Sequence, residues 1–323
     1  MANYDLIFDL GAQYVSAALR KDGFVDKIPS VVAYGGQDSK EILAVGLDAY
    51  QEYARQRGAI KLTRPILEGA VIDVDGATAL ISELLSHLIG GRLTAFNRYN
   101  VYCVSPCGMI SADKKTVESI FLGLGARQVF FVETPIATSY QLFGEFRTRQ
   151  GIVADLGSDC ADLAIVYSNS IVSGCTLYYA GKQLTEAITE RIAAKYMVHL
   201  PFEQAEYLKI NCASLYPNDA TSVVVSGQNV QHGGTENISV SSKELYDTVV
   251  EFAKKYVTVI QGLVAGVPEE LASLVKRTGV MLCGGTAKLA GLDAFLQDEL
   301  GFPVKISSRC EDASVMGMLS MQP

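Results

Sequence analysis

Residues 5–19 read DLIFDLGAQYVSAAL, and residues 151–166 read GIVADLGSDCADLAIV. In both stretches an apolar run enters Asp-Leu-Gly, a short polar turn follows, and a second apolar run begins. Short apolar runs interrupted by a glycine turn predict two strands joined as a hairpin. Because the same pattern returns about half a chain later, the sequence predicts a duplicated fold.

Strand-like and helix-like segments alternate after each hairpin. Buried strands are predicted in YNVYCVSP, QVFFVETP, SIVSGCTLYY and GVMLCGG, and a second type of hairpin is predicted around the Gly-Gly pair of residues 221–241. Helical patterns cover residues 47–57, 77–89, 113–124, 183–195, 203–209 and 243–264. This alternation predicts an α/β protein of two lobes, each with a mixed sheet.

Composition narrows the class of function. The 323 residues are 49% apolar and 19% charged, which suits one large or two medium globular domains. The net charge of -8 argues against a nucleic-acid surface, which needs clustered Lys and Arg. The sequence has neither a membrane-spanning apolar run nor a signal-peptide pattern, and its cysteines are odd in number. These features predict a cytoplasmic protein with reduced thiols.

The repeated hairpin has the residues that a phosphate chain with magnesium requires. Gly11 and Gly157 allow backbone N–H groups to approach an anion closely, and Asp9 and Asp155 are candidate magnesium ligands. A third segment, with Gly284, Gly285 and Thr286, has a strand that meets glycine and then a predicted helix start near Thr286. Each motif alone could be an ordinary turn or loop, but two matched copies favour nucleotide binding.

Five blocks in order resemble the bacterial actin-like ATPases, and most closely the MreB-like group with its magnetosome-type filament actins. They are DLG at residues 9–11, VSPCG at 104–108, VETPIATSY at 132–140, DLGSDCADLAIV at 155–166 and CGGTAKLAGL at 283–292. RPILEGAVID and SGQNVQHGGTENISVSSKEL also resemble segments between those blocks. The resemblance covers nearly the whole chain.

The resemblance implies an actin-like α/β fold, in which two duplicated lobes with mixed sheets flank a nucleotide cleft and form four subdomains. Lobe I is expected at residues 1–140 plus about 306–323, with a small subdomain at about 30–75. Lobe II is expected at residues 141–305, with a small subdomain at about 181–243. The implied ligands are ATP and Mg2+. The implied nucleotide-binding residues are Asp9, Gly11, Ala12, Gln13, Asp155, Gly157, Ser158, Asp159, Gly181, Glu206, Lys209, Gly284, Gly285 and Thr286, with Asp9 and Asp155 also at the metal.

Three departures from the family pattern concern catalysis. Ala12, Gln13, Tyr14 and Val15 follow the first DLG, where the family usually has small or hydroxyl-bearing residues, so hydroxyl contacts to phosphate are lost there. Ser158 and Asp159 stand where relatives commonly have glycines. Thr134 occupies the position before Pro where many relatives have the carboxylate that orients the attacking water. Glu133 and Thr134 are therefore the candidate catalytic residues. Because phosphoryl transfer depends on positioning and charge stabilisation, we expect slow hydrolysis.

Three functions remain open at the sequence level. The first is a cytoskeletal filament of identical subunits, the second is an actin-fold adaptor that binds nucleotide without turnover, and the third, less favoured, is a small-molecule kinase. A membrane surface or a membrane-anchored adaptor is a further possible partner, through Leu93 and Phe96 in the loop GGRLTAFNRYN, although these residues could equally pack beneath that loop. No nucleic-acid partner is expected.

Overall fold

The structure is a computed structural model that describes residues 4–36, 40–56, 58–90, 99–143 and 150–321. It divides into two compact units. Unit 1 comprises residues 1–149, 168–171 and 311–323, and unit 2 comprises residues 150–167 and 172–310. The candidate membrane residues Leu93 and Phe96 lie outside the described residues.

The described elements alternate between strands and helices along the whole chain. In chain order the strands are β1 (Tyr4–Leu10), β2 (Tyr14–Leu19), β3 (Val25–Pro29), β4 (Val32–Gly35), β5 (Ile42–Val45), β6 (Ile60–Thr63), β7 (Ile66–Leu67), β8 (Ala70–Val71), β9 (Tyr99–Ser105), β10 (Ala126–Glu133), β11 (Gln150–Leu156), β12 (Ala161–Tyr167), β13 (Ser170–Leu177), β14 (Val198–His199), β15 (Ser222–Asn229), β16 (Thr235–Ser241), β17 (Val280–Cys283) and β18 (Val304–Ile306). The helices are α1 (Gly46–Arg55), α2 (Val74–Ile89), α3 (Ser111–Gly123), α4 (Thr134–Leu142), α5 (Gly181–Tyr196), α6 (Phe202–Cys212), α7 (Ser242–Ala265), α8 (Glu269–Thr278), α9 (Leu292–Leu300) and α10 (Ala313–Ser320).

The main sheet of unit 1 is built on the first hairpin. Its strand order is β10-β9-β1-β2-β3, in which β1 pairs antiparallel with β2 and parallel with β9. Its core contains Leu6 and Phe8 from β1 and the apolar side of α2, including Leu80 and Leu84, all fully buried. Alternating residues of a strand face opposite sides, so the other side of β1 places Ile7 in a second cluster with α10.

The main sheet of unit 2 has the same plan. Its order is β18-β17-β11-β12-β13, with β11 antiparallel to β12 and parallel to β17. The long helix α7 buries Leu245, Phe252 and Tyr256 in the core of this unit. It begins where the Ser241 backbone N–H donates to the Glu244 carboxylate at 2.7 Å, which caps the first turn. In each unit, therefore, the hairpin lies in the middle of a five-stranded mixed sheet.

Smaller sheets accompany the two main sheets. In unit 1, strands β5, β4 and β6 form a sheet whose buried residues pack with Ala49 of α1. In unit 2, strands β14, β15 and β16 form the predicted hairpin around the Gly-Gly loop together with one short strand.

A helical segment does begin near Thr286, but it is a 3-10 helix and not the first turn of α9. Residues Gly285–Lys288 form one short 3-10 turn, and α9 begins only at Leu292. Gly291 precedes α9 with a φ of 78°, a left-handed conformation that separates the two helical segments. Within the ranges that the structure describes, no helix has the length and apolarity needed to cross a bilayer.

Candidate functional site

The first hairpin turns so tightly that Gly11 cannot be replaced without a shift. A Cβ built on Gly11 would lie 2.6 Å from the Tyr14 carbonyl oxygen. Such a contact is closer than carbon and oxygen tolerate, so the turn depends on glycine. Asp9, two residues earlier, pairs in register with Ser16 of β2 and Val104 of β9, so its carboxylate lies near the ends of three strands.

Asp9 receives a hydrogen bond from the last helix of unit 1. The Ser314 hydroxyl donates to Asp9 Oδ2. Burial raises the pKa of Asp9 above its ordinary value, whereas the Ser314 bond and the charge of Lys27 lower it and the charge of Asp312 raises it. Ionisation of Asp9 is therefore less favourable in the folded protein than in the unfolded chain.

Close packing of α10 against α4 places Ser314 beside Asp9. A Cβ built on Gly317 of α10 would lie 1.8 Å from the Ala137 carbonyl oxygen of α4. Only glycine allows α10 to approach α4 so closely, and Ser314, which is 4% exposed, lies one turn before it. The structure thus connects a residue near the end of the chain to the first strand.

The two residues after Gly11 make internal contacts. Ala12 is buried at 8% exposure. The Gln13 side-chain carbonyl accepts a hydrogen bond from Arg64 Nη1 at 2.7 Å, and its backbone carbonyl accepts one from the Ser30 N–H at 3.0 Å. Gln13 therefore ties the turn to the segment after β6, and Arg64 adds a positive charge beside it.

The second hairpin repeats the tight turn. A Cβ built on Gly157 would lie 2.7 Å from the Cys160 carbonyl oxygen, which accepts the Gly157 N–H at 3.0 Å. Asp155 pairs in register with Asp162 of β12 and with Cys283 of β17. Burial raises the pKa of the Cys283 thiol, and the adjacent Asp155 raises it further.

Backbone contacts join this turn to the start of α5. The Gly157 carbonyl accepts hydrogen bonds from the Gly181 N–H at 3.2 Å and from the Thr286 hydroxyl at 2.7 Å. The Ser158 carbonyl accepts the Lys182 N–H at 2.7 Å. The structure therefore brings three predicted segments of unit 2 together: the hairpin, Gly181 and the turn at Thr286.

Gly284 is the most constrained residue of this group. Its φ is +81°, and a Cβ built on it would lie 2.3 Å from the Leu156 carbonyl oxygen and 2.7 Å from Asp155 Oδ1. Gly285, the next residue, has no atom within 4 Å of its built Cβ. Gly284 thus allows β17 to pack against the hairpin, while Gly285 leaves open space where a ligand could approach the backbone.

Glu206 and Lys209 join the same group through α6. Lys209 Nζ lies 2.7 Å from Glu206 Oε2 and donates to the Gly181 carbonyl at 3.0 Å. The Thr185 hydroxyl donates to Glu206 Oε2 at 2.6 Å. Burial lowers the pKa of Lys209, and the charge of Glu206 opposes this shift. The pair is therefore a partly buried, hydrogen-bonded ion pair rather than a solvated one.

Glu133 and Thr134 lie at the junction of β10 and α4. Glu133 Oε1 accepts the Gly108 N–H at 2.9 Å, and the Thr134 hydroxyl donates to the Ser105 carbonyl at 3.0 Å. Both side chains thus support the turn after β9. The Gly108 bond fixes one oxygen of the Glu133 carboxylate and leaves further acceptor sites on that group.

The donor set agrees with magnesium that keeps most of its water. Among the described residues, no three His, Cys, Asp or Glu side chains converge on a point where they could hold a metal ion. Magnesium in phosphate sites commonly takes one or two protein carboxylates plus phosphate oxygens and water. Asp9 in unit 1 and Asp155 in unit 2 each offer one carboxylate near the end of a central strand of their own sheet.

Three residues that contact the predicted site residues lie outside the sequence motifs. Ser314, Thr185 and Arg64 each contact a predicted site residue. Only Thr185 had a local signal, because it lies four residues after Gly181 and therefore on the same face of α5. Ser314 and Arg64 are distant in sequence from their partners, and no local pattern indicates them.

Comparison with known proteins agrees with this architecture. The family model described as MreB/Mbl protein matches residues 3–322. The chain belongs to the MreB/Mbl family. Among curated MreB/Mbl proteins, the cell shape-determining protein MreB of Escherichia coli is 27% identical over 312 residues, covering 95% of this chain and 90% of that protein. The cell shape-determining protein Mbl of Bacillus subtilis is 27% identical over 315 residues, covering 97% and 94%.

Solved structures show that this MreB/Mbl chain has the actin-like fold. MreB5 of Spiroplasma citri bound to AMPPNP superimposes with a TM-score of 0.89 at 24% identity, covering 98% of this chain and 95% of that one. A MamK double helical filament superimposes with a TM-score of 0.82 at 16% identity, covering 100% of both chains. The predicted fold class and the predicted family are therefore confirmed.

Proposed function

We propose that this MreB/Mbl protein binds ATP with magnesium, assembles with copies of itself into filaments, and hydrolyses ATP slowly. The observation that carries the proposal is the pair of hairpins at the same position of two sheets with the same strand order. Each hairpin offers an Asp near the strand end and a turn that only glycine fits. The relatives support it, because MreB5 is bound to AMPPNP and MamK forms a filament.

Each set of residues suits a different part of the proposed ligand: the phosphates, the magnesium ion or the nucleoside. Backbone N–H groups near Gly11 and Gly157 suit phosphate oxygens, and Asp9 and Asp155 suit magnesium, which neutralises phosphate charge when bound. The open backbone at Gly285 and the ion pair of Glu206 and Lys209 suit the nucleoside. Ala12, Gln13, Ser158, Asp159, Gly181 and Thr286 complete the proposed nucleotide-binding set.

Slow turnover is expected because Thr134 stands before Pro135, where the family resemblance places the carboxylate that orients the attacking water. Thr134 offers a hydroxyl that is already bonded to Ser105, and Glu133 is bonded to Gly108. If Glu133 orients the water despite this bond, Glu133→Ala should abolish phosphate release and leave ATP binding intact. Phosphate release from the unaltered protein at the rate of an active bacterial actin would contradict slow turnover.

Filament formation separates the proposal from its main alternative, an adaptor that binds nucleotide without assembling. Negative-stain electron microscopy and sedimentation should be performed with ATP, with ADP and without nucleotide. We expect filaments that depend on ATP and magnesium, and we expect Asp155→Asn to prevent them. Binding of ATP without sedimentation under any condition would instead favour the adaptor.

Location in the cell is part of the same proposal. We propose a cytoplasmic filament that contacts the membrane surface directly or through a membrane-anchored adaptor, with Leu93 and Phe96 as candidate contacts. Flotation with liposomes tests this, because Leu93→Ser with Phe96→Ser should reduce flotation if those residues insert. Unchanged flotation of the double variant would remove this loop from consideration.

A further inference from the structure

A closed ring of hydrogen bonds joins α5 to α6 in unit 2. The Thr185 hydroxyl lies 2.6 Å from Glu206 Oε2 and 3.0 Å from the Gly181 carbonyl oxygen. Lys209 Nζ lies 2.7 Å from the same Glu206 oxygen and donates to the same carbonyl at 3.0 Å. Each helix thus supplies one donor and one acceptor to the ring.

The Thr185 hydroxyl acts mainly on Glu206. A hydroxyl donates one hydrogen, so Thr185 satisfies one of its two neighbouring acceptors at a time. The Glu206 carboxylate is the closer acceptor and carries a charge, and hydrogen bonds to charged acceptors are the stronger ones. The Lys209 ammonium has three hydrogens and can serve both the Gly181 carbonyl and Glu206. Thr185 and Lys209 together therefore restrain one oxygen of Glu206.

The two oxygens of the Glu206 carboxylate differ in their surroundings. Oε2 is held by Thr185 and Lys209, whereas Oε1 accepts no hydrogen bond from the residues that the structure describes. Thr185 is fully buried, but the Glu206 side chain keeps 26% of its surface exposed. One oxygen is thus fixed by the protein, and the other remains available to a donor group from outside it.

The ring is in direct contact with the second hairpin through Gly181. The Gly181 N–H donates to the Gly157 carbonyl, which also accepts the Thr286 hydroxyl. A Cβ built on Gly181 would lie 2.6 Å from the Thr286 hydroxyl oxygen and 3.2 Å from Lys209 Nζ. The carboxylate of Glu206 is therefore anchored beside the segments that we propose to bind the nucleotide.

We infer that Thr185 is a positioning residue, which orients Glu206 so that its second oxygen accepts a hydrogen bond from a donor group of the nucleoside. This inference rests on the proposed function, because it requires ATP to bind beside the second hairpin. Thr185 is buried and acts on the ligand only through Glu206. Without the hydroxyl, Lys209 alone would hold the carboxylate, and ATP binding would have to order a more mobile side chain.

The test is a double-mutant cycle on the affinity for ATP. Calorimetry in excess Mg2+ should compare the unaltered protein, Thr185→Val, Glu206→Gln and the double variant. Valine keeps the shape of threonine and removes the hydroxyl, and Thr185→Ala replaces it in the cycle if valine is not accommodated. Thr185→Ser keeps the hydroxyl and is the conservative variant. Thr189→Val is the matched control, because that hydroxyl lies one turn later on α5 and donates to the Thr185 backbone carbonyl.

We expect Thr185→Val to weaken ATP binding about tenfold, which is the scale of one hydrogen bond to a charged group. In the Glu206→Gln background the same substitution should change the affinity by less than about twofold, because residues that act as one unit are not additive. Thr185→Ser and Thr189→Val should bind ATP within about twofold of the unaltered protein, because both keep the bond to Glu206. Thermal melts followed by circular dichroism establish that each variant is folded at the temperature of the titration.

Three results would overturn the inference while leaving the proposed function standing. In the first, Thr185→Val binds ATP as tightly as the unaltered protein. In the second, Thr185→Val costs as much affinity with Glu206→Gln as without it, which means that Thr185 does not act through Glu206. In the third, Thr185→Ser loses as much affinity as Thr185→Val. If the unaltered protein binds no ATP, the proposed function fails and the inference fails with it.

Discussion

The two hairpins have nearly the same backbone but different side-chain support. Both turns are closed by a glycine whose Cβ would meet a carbonyl oxygen at 2.6 Å or 2.7 Å, and both lie in sheets of the same order. In unit 1 a side-chain hydroxyl from α10 bonds the carboxylate of Asp9. In unit 2 the hydroxyl of Thr286 bonds a backbone carbonyl, and Asp159 Oδ2 has no hydrogen-bond partner among the described residues.

This difference indicates which part of a duplicated site is constrained. The turn geometry is set by backbone contacts, so only glycine fits in both copies. The supporting side chains come from other elements of each unit, Ser314 from α10 in unit 1 and Thr286 from the turn after β17 in unit 2. Substitutions at the two hairpins should therefore have similar effects when they alter the backbone and different effects when they alter the supporting side chains.

Gly284→Ala should cause the largest loss of stability. The new methyl group would overlap the Leu156 carbonyl and Asp155, and the φ of +81° disfavours any residue with a Cβ. We expect a loss of about 3 kcal/mol or more in the free energy of unfolding by urea. The control is Gly285→Ala, where the space is open and the change should stay within about 0.5 kcal/mol. Equal losses of unfolding free energy for Gly284→Ala and Gly285→Ala would show that close packing against the second hairpin does not restrict residue 284 to glycine.

Ser314→Ala tests the support of the first hairpin. It removes the donor to a buried carboxylate, so we expect a loss of about 2 kcal/mol in the free energy of unfolding at pH 7. Because the donor favours the ionised form of Asp9, the loss should diminish as the pH falls through the pKa of that group. Ser320→Ala is the control, since that exposed hydroxyl donates to the Met316 carbonyl of its own helix and not to a carboxylate. A loss that does not vary with pH would exclude Asp9 as its cause.

Asp9→Asn should stabilise the ligand-free protein. Burial raises the pKa of Asp9 above the ordinary 3.8, so the folded state holds its proton more tightly than the unfolded state and the ionised form opposes folding at neutral pH. Asparagine removes that charge and still accepts from Ser314. We expect a gain on the order of 1 kcal/mol in urea unfolding at pH 7, which shrinks as the pH falls through the raised pKa toward 3.8.

Asp9→Asn should also lose magnesium-dependent ATP binding, because it removes the carboxylate that we propose as a ligand of the cation. Stability gained together with function lost is the pattern expected of a binding carboxylate. If Asp9→Asn were less stable than the unaltered protein at pH 7, burial could not be the dominant influence on the pKa of Asp9.

Sequence predicted the parts of the site that depend on neighbouring residues. The Asp-Leu-Gly hairpins were predictable because the strand pattern, the glycine and the carboxylate occur within one short segment. Ser314 was not, because it is separated from Asp9 by 305 positions and its helix is short and apolar throughout. The break between the 3-10 helix at Thr286 and α9 was not predictable either, because it depends on the left-handed backbone at Gly291. The burial of Asp159 was also hidden, since polar residues after a turn glycine are usually exposed.

Thr286→Val should have the smallest effect on the free energy of unfolding. It compares the side-chain support of the two hairpins most directly. Valine keeps the shape of threonine and removes only the donor to the Gly157 carbonyl, which still accepts from the Gly181 N–H. The acceptor is neutral and keeps one partner, so we expect a loss of about 0.5 kcal/mol in urea unfolding, with no dependence on pH. Ser314→Ala removes a donor from a charged acceptor and should cost several times more. Equal costs for the two variants would mean that the charge of the acceptor does not distinguish the support of the two hairpins.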